Sequence, residues 1–269
     1  MLFRSGAGAA GVGIGRLMAT AMTAESGDAA RAGTSQVFLD SHGLLHEGRV
    51  IDDAHKRQFA LGRDALAHYG FTADGEHHLL EVIARVQPTV LIGTTAQPGI
   101  FSEDVLRKMS EHVQRPIVFP LSNPTSKVEC TPEEAIRWTD GRAIIATGTA
   151  FEPVRYGEQL HVIGQANNVF VFPGVGLGCI LAQARMIPDV VFLAAARTLS
   201  RLVPQDRLDA GAIYPSQSEL RTVSASIAEA VIRELNHQGT GRAVSDDSIA
   251  ALVRDAMWYP EYSTQQYVS

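Results

Sequence analysis

Cysteine is nearly missing from this 269-residue chain. Cys130 and Cys179 are the only two, too few for a disulfide framework and without the spacing of a zinc site. They are expected to serve as small apolar side chains, and a reducing, cytoplasmic setting suits them. An excess of positive charge is missing as well. With 23 Lys and Arg against 29 Asp and Glu, the formal net charge is −6 and the basic residues are scattered, which argues against a nucleic-acid partner. No apolar run is long enough to cross a bilayer. The most membrane-like stretch, 7–22, is broken by Gly8, Gly11, Gly13 and Gly15, with Arg4 before it and Arg16 within it, so neither a signal peptide nor a span is expected. No fixed-period repeat and no low-complexity linker interrupts the sequence.

What is present is core material in alternating short blocks. Apolar residues make up 45% of the chain and charged residues 19%, ample for a buried core. Apolar runs recur, each followed by a stretch of helical period: "MLF" then 9–22, "QVFLD" then 52–68, "PTVLIGT" then 102–113, "RPIVFPLS" then 132–139, and "RAIIATG". Strands alternating with helices at this spacing predict an α/β fold, a doubly wound and mostly parallel Rossmann-type sheet whose strands are buried on both faces. Beyond about 188 the strand signals stop, and 188–203, 217–236 and 246–257 read as helices. A Rossmann-type domain over 1–240 and a C-terminal helix with an aromatic tail over 241–269 are therefore expected. The tail, "MWYPEYSTQQYVS", is expected to pack on its own domain or on a neighbouring subunit.

Gly6, Gly8 and Gly11 stand in the G-x-G-x-x-G arrangement ahead of a helical pattern. In such a turn the first glycine makes the tight bend, the second lets backbone approach a pyrophosphate, and the third lets the helix close on the strand. Asp40 ends the next strand, where a carboxylate can accept both ribose hydroxyls of an adenosine; a plain strand-ending Asp in a turn with Ser41 and Gly43 is the other reading. Asp40 would repel a 2′-phosphate and so favours NAD, whereas Lys56 and Arg57 could pair with one and favour NADP; "HKR" also reads as a solvated helix face. Asn123 follows an apolar strand and precedes Pro124, which puts its amide at a strand's carboxyl end, where open α/β sheets bind ligands. Asn167 and Asn168 precede a strand-like run, "VFVF", and a Pro-Gly turn. Asp52, Asp53, Glu133 and Glu134 read as helix starts, and adjacent His77 and His78 would diverge on a helix rather than share a metal.

The segments "GAGAAGVGI", "DSHGLLHEGR", "LIGTTAQPGIFSEDVLRKM", "RPIVFPLSNPTSKVECTPEEA", "GRAIIATGTAFEPV", "GQANNVFVFPGVGLG" and "GAIYP" resemble, in order and spacing, the dinucleotide-binding half of malic enzymes. The resemblance extends to the "YPEY" tail. It implies that Gly6, Gly8, Ala9 and Ala10 form the pyrophosphate turn, closed by Gly11, with Asp40 and Ser41 near the adenosine ribose. It also implies that Thr94 lies on the nicotinamide side, and that Asn123 and Asn168 contact cofactor and malate. Lys56 matches a lysine of NADP-preferring members, which tilts the expected cofactor modestly toward NADP, while His42 departs from their pattern. Another Rossmann dehydrogenase, such as one acting on amino acids, would need a catalytic lysine. Besides Lys56 only Lys108 and Lys127 exist, and neither sits in a glycine-rich loop.

In the family, the catalytic Lys and Tyr, the acidic ligands of a divalent magnesium or manganese ion and a substrate-binding Arg precede the glycine turn. The chain is thus expected to bind NAD or NADP, to hold no catalytic metal and to turn over little or no malate alone. It would act on malate, yielding pyruvate, only if completed by a first half, and a homo-oligomer is expected. A fragment, a misplaced start and a half-enzyme are the expected origins; a non-catalytic regulatory remnant paired with a full-length homologue is the alternative. The first strand, with few residues before the turn, is expected to be short and frayed although flanked by two partners.

Overall fold

A computed structural model describes residues 2–259 of the chain. The aromatic tail from residue 260 onward, with the packing expected of it, lies outside the described residues. The first half alternates strand and helix: β1 (Leu2–Ser5), α1 (Ala9–Ser26), α2 (Ala29–Thr34), β2 (Gln36–Asp40), β3 (Gly43–Leu44), α3 (Ala54–Arg57), α4 (Arg63–His68), α5 (Leu79–Val86), β4 (Val90–Gly93), α6 (Glu103–His112), β5 (Ile117–Pro120), α7 (Pro132–Trp138) and β6 (Ile144–Thr147). A hairpin of β7 (Val154–Tyr156) and β8 (Gln159–His161) precedes β9 (Gly164–Gln165), and then come α8 (Phe172–Leu181), α9 (Asp189–Arg201), α10 (Gln205–Asp209), α11 (Leu220–Gln238) and α12 (Asp246–Ala256).

Seven strands form one sheet in the order β3-β2-β1-β4-β5-β6-β9, parallel except for β3, which turns back antiparallel on β2. This is the α/β, doubly wound arrangement that the sequence predicts. The crossover falls between β2 and β4, with β1 between them, so the loops after β1, β2 and β4 converge at the carboxyl edge of the sheet. Short as it is, β1 pairs in register along its length with both neighbours, Leu2 to Ser5 against Gln36 to Leu39 and against Val90 to Gly93.

Both faces of the sheet are covered, and that is why its strands read as unbroken apolar runs. Val37, Leu39, Leu91, Val118 and Ile145 meet Val82, Ile83, Val105, Leu106, Met109 and Ile136 of the flanking helices in one core. Phe38, pointing the other way from β2, joins Ala7, Leu45 and Ile51 and stacks on Phe59 with ring centroids 4.0 Å apart. Burying side chains of this size contributes roughly 1.5–3 kcal/mol each. Carboxylates at helix starts act as caps: Asp53 accepts from the His55 amide at 2.7 Å, and Thr131 and Glu134 form a reciprocal capping box.

The chain divides into two compact units, Met1–Asn168 with Ser200–Ser216, and Val169–Leu199 with Gln217–Ser269. In the second, α8 lies against α11 with no room for side chains at the contact. A methyl on Gly174 would stand 2.7 Å from the Ser224 carbonyl oxygen, and one on Gly178 would stand 2.8 Å from that of Ala228. The run "VFVFP", strand-like in its apolar sequence, is not a strand. It passes through a single 3-10 turn, Asn168–Phe170, into α8, with Pro173 in the first helical turn. An apolar helix packed on another helix gives the same local pattern as a buried strand.

Candidate functional site: a glycine turn and its carboxylate

The chain leaves β1 through Gly6 at φ +105°, a backbone conformation open to glycine and strained for other residues. Its amide donates to the Leu39 carbonyl at 3.0 Å and its carbonyl accepts from the Thr94 hydroxyl at 2.8 Å, so the turn is tied to both neighbouring strands. Gly11 lies on the first turns of α1 with its Cβ direction only 1.9 Å from the Gly6 carbonyl oxygen, which brings helix and turn into direct contact. Gly8 differs: a Cβ there would meet nothing within 4 Å. It caps α1, has no side-chain hydrogen bond of its own, and is followed by a first turn without an acidic residue. Ala9 and Ala10 are exposed there. An 18-residue helix thus presents unpaired amides and the positive end of its dipole to an open cleft, the arrangement that receives phosphate.

That cleft has a volume of about 240 Å³, and Gly6, Gly8, Asp40, Ser41, Lys56 and Thr94 line it together with Ala7, Thr95, Gln97 and Ile100. Six of the residues singled out from the sequence are therefore brought to one place. Asp40 forms the far wall and is heavily engaged. Its Oδ1 accepts from the His42 amide at 3.0 Å and from Arg49 Nη2 at 3.0 Å, and Oδ2 accepts from Lys56 Nζ at 3.3 Å. Burial pushes the Asp40 pKa up, but the His42 amide and the Arg49 and Lys56 charges outweigh it and hold the carboxyl below its ordinary range. Arg49, unmarked in the sequence reading, is itself anchored by the carbonyls of Gly43 and Leu44 at 3.1 and 2.8 Å. Arg57, the other cation of "HKR", instead donates to the Ile51 carbonyl and turns away from Asp40.

Asn123 and Asn168 do not line this cleft. Asn123 is exposed on the loop after β5, its side-chain amide donating to the Leu121 carbonyl at 3.3 Å; Asn168 is exposed after β9. Both loops follow strand carboxyl ends, the edge that also carries the glycine turn. The sequence reading missed Glu129, a fully buried carboxylate that joins the loops after β4 and β5. Nothing in "SKVECTPEE" separates it from the helix-start acids beside it. His77 is buried and bonded to the Thr72 carbonyl and to Glu81, at 2.9 and 3.2 Å, a structural setting. Cys130 is buried, and burial pushes its thiol well up.

Among the described residues no group of three or more His, Cys, Asp or Glu side chains is arranged to hold a metal ion. The described residues therefore do not fit the divalent cation that the family resemblance implies. Nor is any helix among them long and apolar enough to cross a membrane.

A glycine turn at the head of α1, an Asp at the end of β2 and the reversal of strand order beside β1 define a dinucleotide-binding α/β domain. The family model for the malic enzyme NAD-binding domain matches residues 1–236, and the chain belongs to that family. It is 39% identical over 266 residues to the NAD-dependent malic enzyme of Pseudomonas aeruginosa (strain UCBPP-PA14), covering 98% of this chain and 47% of the relative. The NAD-dependent malic enzyme of Photorhabdus laumondii is 38% identical, with 98% and 46% covered. The chain thus spans about half the length of the curated relatives it matches. Two solved structures share the fold: Entamoeba histolytica malic enzyme (TM-score 0.70, 22% identity, 94% of this chain and 46% of that one) and malic enzyme from Pyrococcus horikoshii Ot3 (TM-score 0.67, 23% identity, 95% and 52%).

Proposed function

We propose that this chain binds NAD as the cofactor half of a malic enzyme, an oxidoreductase that converts malate to pyruvate and carbon dioxide. The observation that carries the reading is the cleft in which Gly6, Gly8, Asp40, Lys56 and Thr94 meet. In it the amides at the head of α1, from Gly8 through Ala10, would hold the pyrophosphate, with Gly11 keeping the helix close. Asp40 and Ser41 would take the adenosine ribose, and Thr94 and Asn123 would flank the nicotinamide. Bound NAD supplies a hydride acceptor. The residues of this chain bind and orient it, and Asn123 and Asn168 would present amides to the malate carboxylates.

The choice between NAD and NADP turns on Asp40 and its two cations. A 2′-phosphate is favoured by Lys56 and Arg49, and that is the observation behind a second reading in which NADP is the cofactor. Both cations, however, are paired with Asp40 rather than free, and a carboxylate held ionised repels a phosphate while accepting ribose hydroxyls. The pairing favours NAD. A thermal-shift titration of the purified chain tests both readings: NAD is expected to raise Tm at lower concentration than NADP. The reverse order would favour NADP, and no shift with either at millimolar concentration would overturn the assignment. Malate turnover is expected only with the remainder of a full-length enzyme present. Pyruvate formation by this chain alone, with manganese, malate and NAD, would refute that.

A further inference from the structure

Glu129 is fully buried, yet no Lys, Arg or His pairs with it among the described residues. Its carboxylate is held by hydrogen bonds alone. Oε1 accepts from the Thr95 amide at 2.7 Å, the Thr95 hydroxyl at 2.9 Å and the Ser122 hydroxyl at 2.5 Å, and Oε2 accepts from the Ser122 amide at 3.3 Å. The direction of both hydroxyl bonds is fixed by a second set of contacts. Thr95 Oγ1 already accepts from the Gln97 amide at 3.1 Å, and Ser122 Oγ from the Ala96 amide at 2.9 Å, so each hydroxyl hydrogen points to Glu129. Between these bonds Ala96 is held at φ +55°, a conformation that a non-glycine residue keeps only when its surroundings impose it. Room for the carboxylate comes from Gly93, where a Cβ would stand 2.5 Å from Glu129 Cδ.

We propose that Glu129 is the positioning residue for the nicotinamide half of the cofactor site, fixing the loop at Thr95 on one side and the loop at Asn123 on the other as a single unit. The inference rests on the cofactor reading above. It follows from where the two loops lead. Thr94 and Thr95 line the cleft beside the glycine turn, and Ser122 directly precedes Asn123. Among the described residues no hydrogen bond joins Asp40, Arg49 or Lys56 to Glu129, Thr95 or Ser122, and Thr94 is held separately by its hydroxyl on the Gly6 carbonyl. A group that only supported the fold would weaken every ligand alike. One that orders these two loops weakens NAD and leaves a ligand without nicotinamide untouched.

The test compares NAD with ADP-ribose, which keeps both riboses and the pyrophosphate but lacks nicotinamide. Affinities are measured by calorimetry on the purified chain and on Glu129→Gln. Glutamine keeps the shape, but its NH₂ group faces either the Ser122 amide or the three donors at Oε1, so the clamp loosens by at least one bond. A roughly tenfold loss for NAD with ADP-ribose within about twofold of the parent is expected, the size that one buried hydrogen bond to a charged group commands. Equal losses for both ligands, or unchanged NAD binding, would overturn the proposal. If Glu129→Gln does not fold, Ser122→Ala removes one arm while leaving the carboxylate, and the same ratio decides: selective loss of NAD supports the clamp and a uniform loss refutes it. Failure of the parent chain to bind either ligand would instead sink the cofactor reading itself.

Discussion

Lys56 Nζ stands 3.3 Å from Asp40 Oδ2 at the end of β2, on the carboxylate proposed to take the adenosine ribose. With the His42 amide and Arg49 also engaged, the carboxylate has little free acceptor capacity. Of the two cations on Asp40, Arg49 is further held by two backbone carbonyls, whereas Lys56 Nζ meets only the carboxylate among the described residues.

Asp40→Asn follows from this arrangement. The substitution removes a charged acceptor and leaves Arg49 and Lys56 without their anion. NAD is expected to bind about tenfold more weakly, the loss of one charge-assisted hydrogen bond, whereas NADP loses less because two cations become available to its 2′-phosphate. Calorimetric Kd values for the two nucleotides check it. An equal loss for both would show that Asp40 does not discriminate between them.

The glycines of the turn separate stability from binding. Gly6→Ala puts a methyl 2.6 Å from the Thr94 carbonyl oxygen at a φ of +105°, so the fold is expected to lose at least about 2 kcal/mol, with a Tm lower by roughly 5 °C or more. Gly8→Ala meets no atom, so Tm is expected to hold while NAD affinity falls, because the methyl is added to a residue that lines the cleft. Gly13→Ala, inside α1 and equally open, is expected to raise stability by about 0.5–1 kcal/mol. A thermal melt of the three variants with and without NAD gives all three results, and a destabilised Gly8→Ala would contradict the open-cleft geometry.

Much of the sheet was legible because burial on both faces leaves a direct trace: "QVFLD" and "VLIG" read as strands and are strands. The glycine turn and Asp40 were legible because their spacing is set by backbone geometry. What could not be read depends on partners distant in sequence. The antiparallel β3 and the hairpin of β7 and β8 are too short to carry a pattern, and 52–68 breaks into α3 and α4 rather than one helix. "VFVFP" looked like a strand because its partner, α11, lies some fifty residues away. Arg49 and Glu129 carry no local mark either: each owes its importance to a contact across a loop.

The buried imidazole of His46 is expected to couple the loop that carries Arg49 to pH. His46 is 1% exposed, its Nδ1 accepts from the Gly48 amide and its Nε2 meets the Gly75 carbonyl, both at 3.2 Å, so only the neutral ring satisfies both. Burial pushes its pKa down; the Gly75 carbonyl opposes this, while His77, with its ring 5.9 Å away and bonded to Glu81, and Arg49 add to it, leaving a net value below 6.5. For a base with a depressed pKa the unfolded chain takes up the proton first. The stability is then fully present above pH 6.5 and declines as pH falls from there toward the folded value, by up to about 1.4 kcal/mol per pH unit. The loop that His46 secures carries Arg49 to Asp40, so acid is expected to loosen the Arg49–Asp40 pair along with the fold. His46→Asn supplies an amide oxygen for the Gly48 amide and cannot titrate. Its Tm at pH 7.5 is expected to sit below the parent's, and its further fall between pH 6.5 and 5.5 to be smaller. Parallel Tm curves for the two proteins across that range would show that His46 is not the group responsible.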